Sequence, residues 1–235
     1  MSRPVVLCYH AISDSWEDEL AVTQAAFEQQ IRTLLRRGYV AIPASGVVSS
    51  AGKTFHVTFD DAFLNIRPAL EWLVAMKVPA SVFACSRYAD DGRPLDVERL
   101  SVLEPEYHRR TMTWDELREL VALGIEVGSH TVSHPRLTEL SDADLRVELQ
   151  ESKQKLEDEL QRRCAFLVYP FGDQDTRVRA AARVAGYSAA FGHLRPFDPF
   201  AIPRIGIYRR DVGRRGTFKL SRPGMLLATR RLARR

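Results

Sequence analysis

Short runs of β-branched and aromatic residues recur along the chain at 4–9, 39–42, 55–59, 80–85, 125–128, 165–169 and 187–191. Most are almost continuously apolar, the pattern of strands covered on both faces. Between them the apolar positions take helical spacing. Phe27, Ile31, Leu34 and Leu35 form one stripe, closed by Gly38. Thr113 and Glu116 fit a capping box that opens a helix bearing Leu117, Leu120 and Val121, and Gly124 ends it. Ser141 and Asp144 open another, with Leu145, Leu149, Leu156 and Leu160 on its stripe, and a last helix runs from about 176 to 185. Strand and helix in repeated alternation predict right-handed βαβ units and an α/β fold with about seven parallel strands. Periodicity alone leaves a closed barrel and an open doubly wound sheet both possible. Segment 86–112 is too long and too polar for a tight connection and is predicted to be a rim loop or lid.

Composition narrows the class. Of 235 residues 45% are apolar, with 11 Phe, 7 Tyr and 3 Trp, enough for a core without disulfides. Cys8, Cys85 and Cys164 are widely spaced and odd in number, which predicts reduced, buried thiols. No apolar run approaches the ~20 residues that span a bilayer, and the first ten residues lack a secretory pattern. The expected location is cytoplasmic. Charge is uneven: ten of the 34 Lys/Arg but one of the 30 Asp/Glu fall in 209–235, which leaves 24 basic against 29 acidic groups before it. This predicts a mildly acidic body (1–208) with a basic tail (209–235), and no whole-protein binding of nucleic acid. In the tail, Met225, Leu226 and Leu232 accompany Arg230, Arg231, Arg234 and Arg235. That mixture suits either peripheral contact with an anionic inner-membrane surface or a solvated terminus.

Four groups fall at the exits of predicted strands: His10, Asp60–Asp61, His130 with His134, and the turn Tyr169-Pro170-Phe171-Gly172. In parallel α/β folds the C-terminal ends of strands converge on one face, where ligands bind. Two imidazoles and a carboxylate make a three-ligand divalent-metal site with open positions for water and substrate. Consecutive strand residues point in opposite directions, so one aspartate can bind metal while the other takes a proton. Taken singly, an Asp pair is as readily a helix cap or turn former. His56, inside a strand, and His108, in the polar loop, are expected to be non-catalytic.

Thr58-Phe59-Asp60-Asp61 followed by His130-Thr131-Val132-Ser133-His134 resembles the first two motifs of the polysaccharide deacetylase family (carbohydrate esterase family four). Tyr9-His10, Gly38-Tyr39 and Ala80-Ser81-Val82-Phe83 are similar to that family's context. The resemblance implies a distorted, incomplete (β/α) barrel and metal-dependent removal of N-acetyl, sometimes O-acetyl, groups from amino-sugar polymers. It implies Asp61, His130 and His134 as ligands of one divalent ion (zinc, with cobalt or nickel as alternatives) and Asp60 as general base. It places the Phe171 N–H as oxyanion donor, with Tyr169 and Arg204 as further substrate-side candidates, the turn Tyr169-Pro170-Phe171-Gly172 being similar to the arginine-less third motif Tyr-Pro-Tyr-Gly. The missing arginine leaves Asp60 in need of a partner, and Arg204 is the candidate. No Leu-x-x-His motif supplies a general acid; His10 and His193 are the candidates. Ala62 stands where the family has glycine. With a basic tail, lipid-linked or nucleotide-linked acetylated sugars join polymers as candidate substrates. Two rival expectations are a non-catalytic glycan-binding relative and a non-haem iron oxygenase, the latter disfavoured by the absent H-x-D pairing and all-β pattern.

Overall fold

A computed structural model describes residues 3–97, 105–192, 197–213, 216, 219 and 220. Its strands are β1 (Val5–Tyr9), β2 (Ala11–Ile12), β3 (Ala21–Val22), β4 (Val40–Ala41), β5 (Thr54–Phe59), β6 (Ala80–Ala84), β7 (Glu126–Ser129), β8 (Phe166–Val168), β9 (Ala189–Gly192), β10 (Ile202–Pro203) and β11 (Ile205–Gly206). Its helices are α1 (Gln24–Arg36), α2 (Arg67–Ala75), α3 (Glu106–Arg109), α4 (Trp114–Ala122), α5 (Asp142–Leu160) and α6 (Thr176–Val184). The capping box at Thr113 and Glu116 forms, and Ser141 caps α5 through the amide of Asp144. Helix α2 lies outside the predicted set. It carries Pro68 in its first turn and turns Ala69, Leu70 and Leu73, at helical spacing, toward the core.

The main sheet runs β10-β9-β8-β7-β6-β5-β1-β11, with β4 set against β5, and every pairing is parallel. Its two end strands are separated in the chain by Arg204 alone. On one side the Arg204 amide bonds the Gly192 carbonyl at 3.2 Å; on the other, the Ile207 amide bonds Cys8 at 2.8 Å. The path therefore returns on itself as a nearly closed barrel of eight parallel strands, which resolves the choice that periodicity left open. The closing segment escaped the sequence pattern because each of its strands is two residues long.

Strand alternation sorts the barrel interior into layers. Near the strand starts, His56 Nδ1 meets the Ile42 carbonyl at 2.8 Å, its Nε2 meets Ser81 Oγ at 3.0 Å, and Ser81 reaches Glu126 at 3.4 Å. Burial outweighs the Ile42 bond and lowers the His56 pKa to about 4, so this histidine is neutral and internal. The middle layer is apolar: Val6, Phe83, Phe166, Val168, Ala189, Phe191 and Ile202 cluster there. Gly128 is required at that level, since a Cβ would lie 2.5 Å from the Phe83 ring and 2.9 Å from the Phe166 carbonyl oxygen. Above this plug, at the strand exits, the interior turns polar again.

Segment 86–112 is less free than a lid, as far as it is described. Antiparallel bridges join Phe63 to Thr111 and Pro94 to Arg110, Leu95 is buried, and His108 stacks on Trp16. The described part of the basic tail is anchored to the body. Gln30 Nε2 donates to the Asp211 carbonyl at 2.6 Å, Arg37 Nη1 donates to the Leu220 carbonyl at 3.0 Å, and the Leu220 side chain is buried in the core. Residues 221–235, which carry the amphipathic pattern, lie outside the described residues. No described helix is long and apolar enough to cross a membrane.

Candidate active site

Three chain turns at strand exits build the site. After β5, Asp60 continues the strand geometry, its amide bonding the Tyr9 carbonyl at 2.9 Å. Asp61 and Ala62 then take positive φ, 68° and 52°. Such backbone costs non-glycine residues roughly 1 kcal/mol or more each and persists only where the surroundings enforce it. The turn separates the two carboxylates, so neighbours in sequence meet different partners.

Asp61 faces the histidines. Its Oδ1 lies 3.4 Å from His130 Nε2 and 3.4 Å from His134 Nε2, and all three residues are buried. His130 Nδ1 meets the Val168 carbonyl at 2.9 Å, and since a carbonyl only accepts, Nδ1 carries the proton and Nε2 offers a lone pair. Burial holds the His130 pKa down at about 4 and, with the neighbouring His130, pushes that of His134 well below its ordinary value. Burial and then the charge of Asp60 push the Asp61 carboxyl up. Asp61 Oδ1 is buried and accepts no hydrogen bond. Acceptor atoms gathered around an unsatisfied carboxylate oxygen make sense with a cation among them. The separations fit as well, because donors ~2.1 Å from a tetrahedral zinc stand about 3.4 Å apart.

The loop that carries both histidines is strained and clamped. Thr131 and His134 have φ of 72° and 65°. One carboxylate of α5 holds it: Glu148 Oε2 accepts the amides of Val132 and Ser133 at 2.8 and 3.0 Å, and Oε1 accepts Ser133 Oγ at 2.5 Å. Nothing local in sequence marks Glu148, which sits among other charged residues on a polar helix fourteen positions beyond His134. Glu148→Gln is expected to weaken metal affinity by about 10-fold or more, as loss of a group that orients ligands does, with the fold intact by circular dichroism. Affinity unchanged by titration calorimetry would reduce Glu148 to an ordinary surface contact.

Asp60 has a different neighbourhood. Arg204, buried at the barrel closure, forms two parallel bonds to it: Nη1 to Oδ1 at 2.6 Å and Nη2 to Oδ2 at 2.7 Å. Nη1 also reaches Thr58 Oγ1 at 3.2 Å. Burial opposes ionisation of Asp60, but the charge and hydrogen bonds of Arg204 outweigh it and hold the carboxyl below the usual carboxylate range. Cys8 Sγ lies 3.4 Å and His10 Nε2 4.0 Å from Asp60 Oδ2.

The remaining candidates divide. Phe171, at φ 58°, is half-exposed at the mouth with its ring edge-on to His134, 4.7 Å between centroids. The Tyr169 ring is wholly buried and its hydroxyl donates to the Phe200 carbonyl at 2.9 Å, which makes the side chain part of the barrel wall. The Arg204 guanidinium is likewise enclosed, held against Asp60. His193 lies outside the described residues.

Comparison with known proteins agrees with this geometry. The family model described as polysaccharide deacetylase matches residues 48–190, a span that includes both aspartates, both histidines and Phe171 but neither His10 nor Arg204. YxkH of Bacillus subtilis (strain 168) is 24% identical over 190 residues, 77% of this chain and 61% of its own length. Among solved structures, BA0330 of Bacillus anthracis aligns at a TM-score of 0.72 and 25% identity over 88% of this chain and 65% of that one. The Streptococcus pyogenes deacetylase PplD, solved with acetate, aligns at 0.75 and 20% identity over 96% and 97%. The chain thus spans less than two-thirds of the length of YxkH and BA0330. A family match across more than half the chain, centred on the strand exits that carry the acidic pair and the histidine loop, establishes that this chain belongs to the polysaccharide deacetylase family.

Proposed function

We propose that the chain is a metal-dependent hydrolase that removes acetyl groups, N-acetyl foremost, from an amino-sugar polymer or a lipid-linked or nucleotide-linked glycan precursor. The observation that carries this reading is the separation of two adjacent carboxylates: Asp61 among two neutral imidazoles, Asp60 on a buried arginine. A divalent ion held by Asp61, His130 and His134, with zinc the best match to the donors, supplies Lewis acidity and makes water a stronger acid. The chain's own groups do the rest. Asp60 accepts the proton of the attacking water, and Arg204 aims it while leaving each oxygen a further lone pair. The Phe171 N–H donates to the oxyanion that develops from the acetyl carbonyl. His10, partly exposed beside Asp60, protonates the departing amine.

The Asp60–Arg204 pair also answers one motive for a non-catalytic glycan-binding protein, since the base does have its arginine. Chelator-stripped protein should release no acetate from N-acetylglucosamine oligomers, and zinc, cobalt or nickel should restore release. Equal turnover by stripped protein would overturn the metal requirement. Oligomer binding without acetate release by the reloaded protein would favour the binding protein.

A further inference from the structure

Cys8, His10 and Asp60 form a second cluster beside the first, their ligand atoms all within 4.8 Å of one another. They come from the exits of β1 and β5 and open to solvent through His10, whose side chain is 19% exposed. Cys8 Sγ and His10 Nε2 stand 3.4 and 4.0 Å from Asp60 Oδ2. Thiolate, imidazole and carboxylate ligands at ~2.0–2.3 Å from a tetrahedral ion stand roughly 3.3–3.8 Å apart, so small side-chain adjustments suffice.

We propose that Cys8, His10 and Asp60 form an inhibitory site for a second, thiophilic divalent cation such as zinc or cadmium. Arg204 already sits on the same carboxylate, so an oxygen-seeking ion such as magnesium or calcium gains little there. The thiol makes the difference, because a soft sulfur ligand selects zinc or cadmium. On binding, the Cys8 S–H bond breaks, its proton leaves to solvent, and a metal–sulfur bond forms. The ion also takes a lone pair of Asp60 and that of His10 Nε2, the groups assigned to accept and deliver protons. Inhibition, though not binding, therefore rests on the deacetylase proposed above.

The test uses protein loaded with one equivalent of zinc and titrated with cadmium, with zinc release monitored. Wild type should bind a second equivalent with zinc retained, gain ultraviolet thiolate-to-cadmium absorption, and lose at least tenfold in acetate release. Cys8→Ser and Cys8→Ala should keep the first zinc and basal turnover, lose the absorption, and need at least tenfold more cadmium for inhibition. Cys85→Ser should behave as wild type. A single equivalent bound by wild type, zinc displacement in its place, or absorption and inhibition unchanged in both Cys8 variants would overturn the proposal. If a second ion binds but the one-zinc protein turns over no acetylated sugar, the deacetylase reading fails and the site stands.

Discussion

Asp60→Asn is expected to lower kcat for acetate release by about 10²–10⁴-fold, the usual contribution of a positioned base, while one divalent ion per chain is retained. The amide preserves shape and can still accept one bond from Arg204, but it cannot take a proton. Asp61, not Asp60, faces His130 and His134, so metal content by elemental analysis should match wild type. The split between lost turnover and kept metal separates the two aspartates, which composition and spacing treat alike. Turnover within a few-fold of wild type would assign the proton to another group. Loss of metal together with turnover would mean that Asp60 belongs to the ligand set.

Arg204→Met should be the most destabilising single change at the site. It removes one partner of a fully buried ion pair and leaves Asp60 charged in the barrel mouth beside Asp61, at an expected cost of about 3–5 kcal/mol in urea unfolding at neutral pH. An exposed pair would cost ~1 kcal/mol or less. The pH dependence carries a sign. In wild type the Asp60 pKa is below its unfolded value, so the pair's stability is present above pH ~3.9 and is lost as pH falls through the folded value. In Arg204→Met, burial, the largest influence on Asp60, is opposed only by the weaker charges of His130 and His10, so the pKa rises and the folded state binds the extra proton. The variant should then recover stability as pH drops below neutral, opposite to wild type at this residue. Adding Asp60→Asn to Arg204→Met removes the stranded charge and should restore much of the loss, giving a clear coupling in the double-mutant cycle. Additive effects, or a cost near that of an exposed pair, would show that Arg204 is not what holds Asp60.

Much of this protein is written locally. Doubly apolar runs gave the strands because the barrel covers both faces of each, and the stripes on α1, α4 and α5, with caps at Thr113 and Ser141, marked helices that lie on the outside. The motifs Thr58–Asp61 and His130–His134 were legible because their residues sit within one turn of each other. Other features depend on residues far apart in the chain. Tyr169 shares its turn with Phe171, yet strand alternation sends its ring into the wall while the next residues bend into the mouth.

The alternation of elements, the acidic pair and the histidine loop were legible along the chain, since each is a short-range pattern of side-chain polarity and spacing. The closing of the sheet, the meeting of Arg204 at the seam with Asp60 from 144 positions away and the hold of Glu148 on the histidine loop came from the tertiary structure. Closure is a long-range event: two-residue strands, too short for the apolar Ile202 and Ile205 to set a strand pattern, become a seam only when β1 and β9 offer hydrogen bonds on either side. The same closure buries the arginine, and burial makes its pairing with Asp60 compulsory.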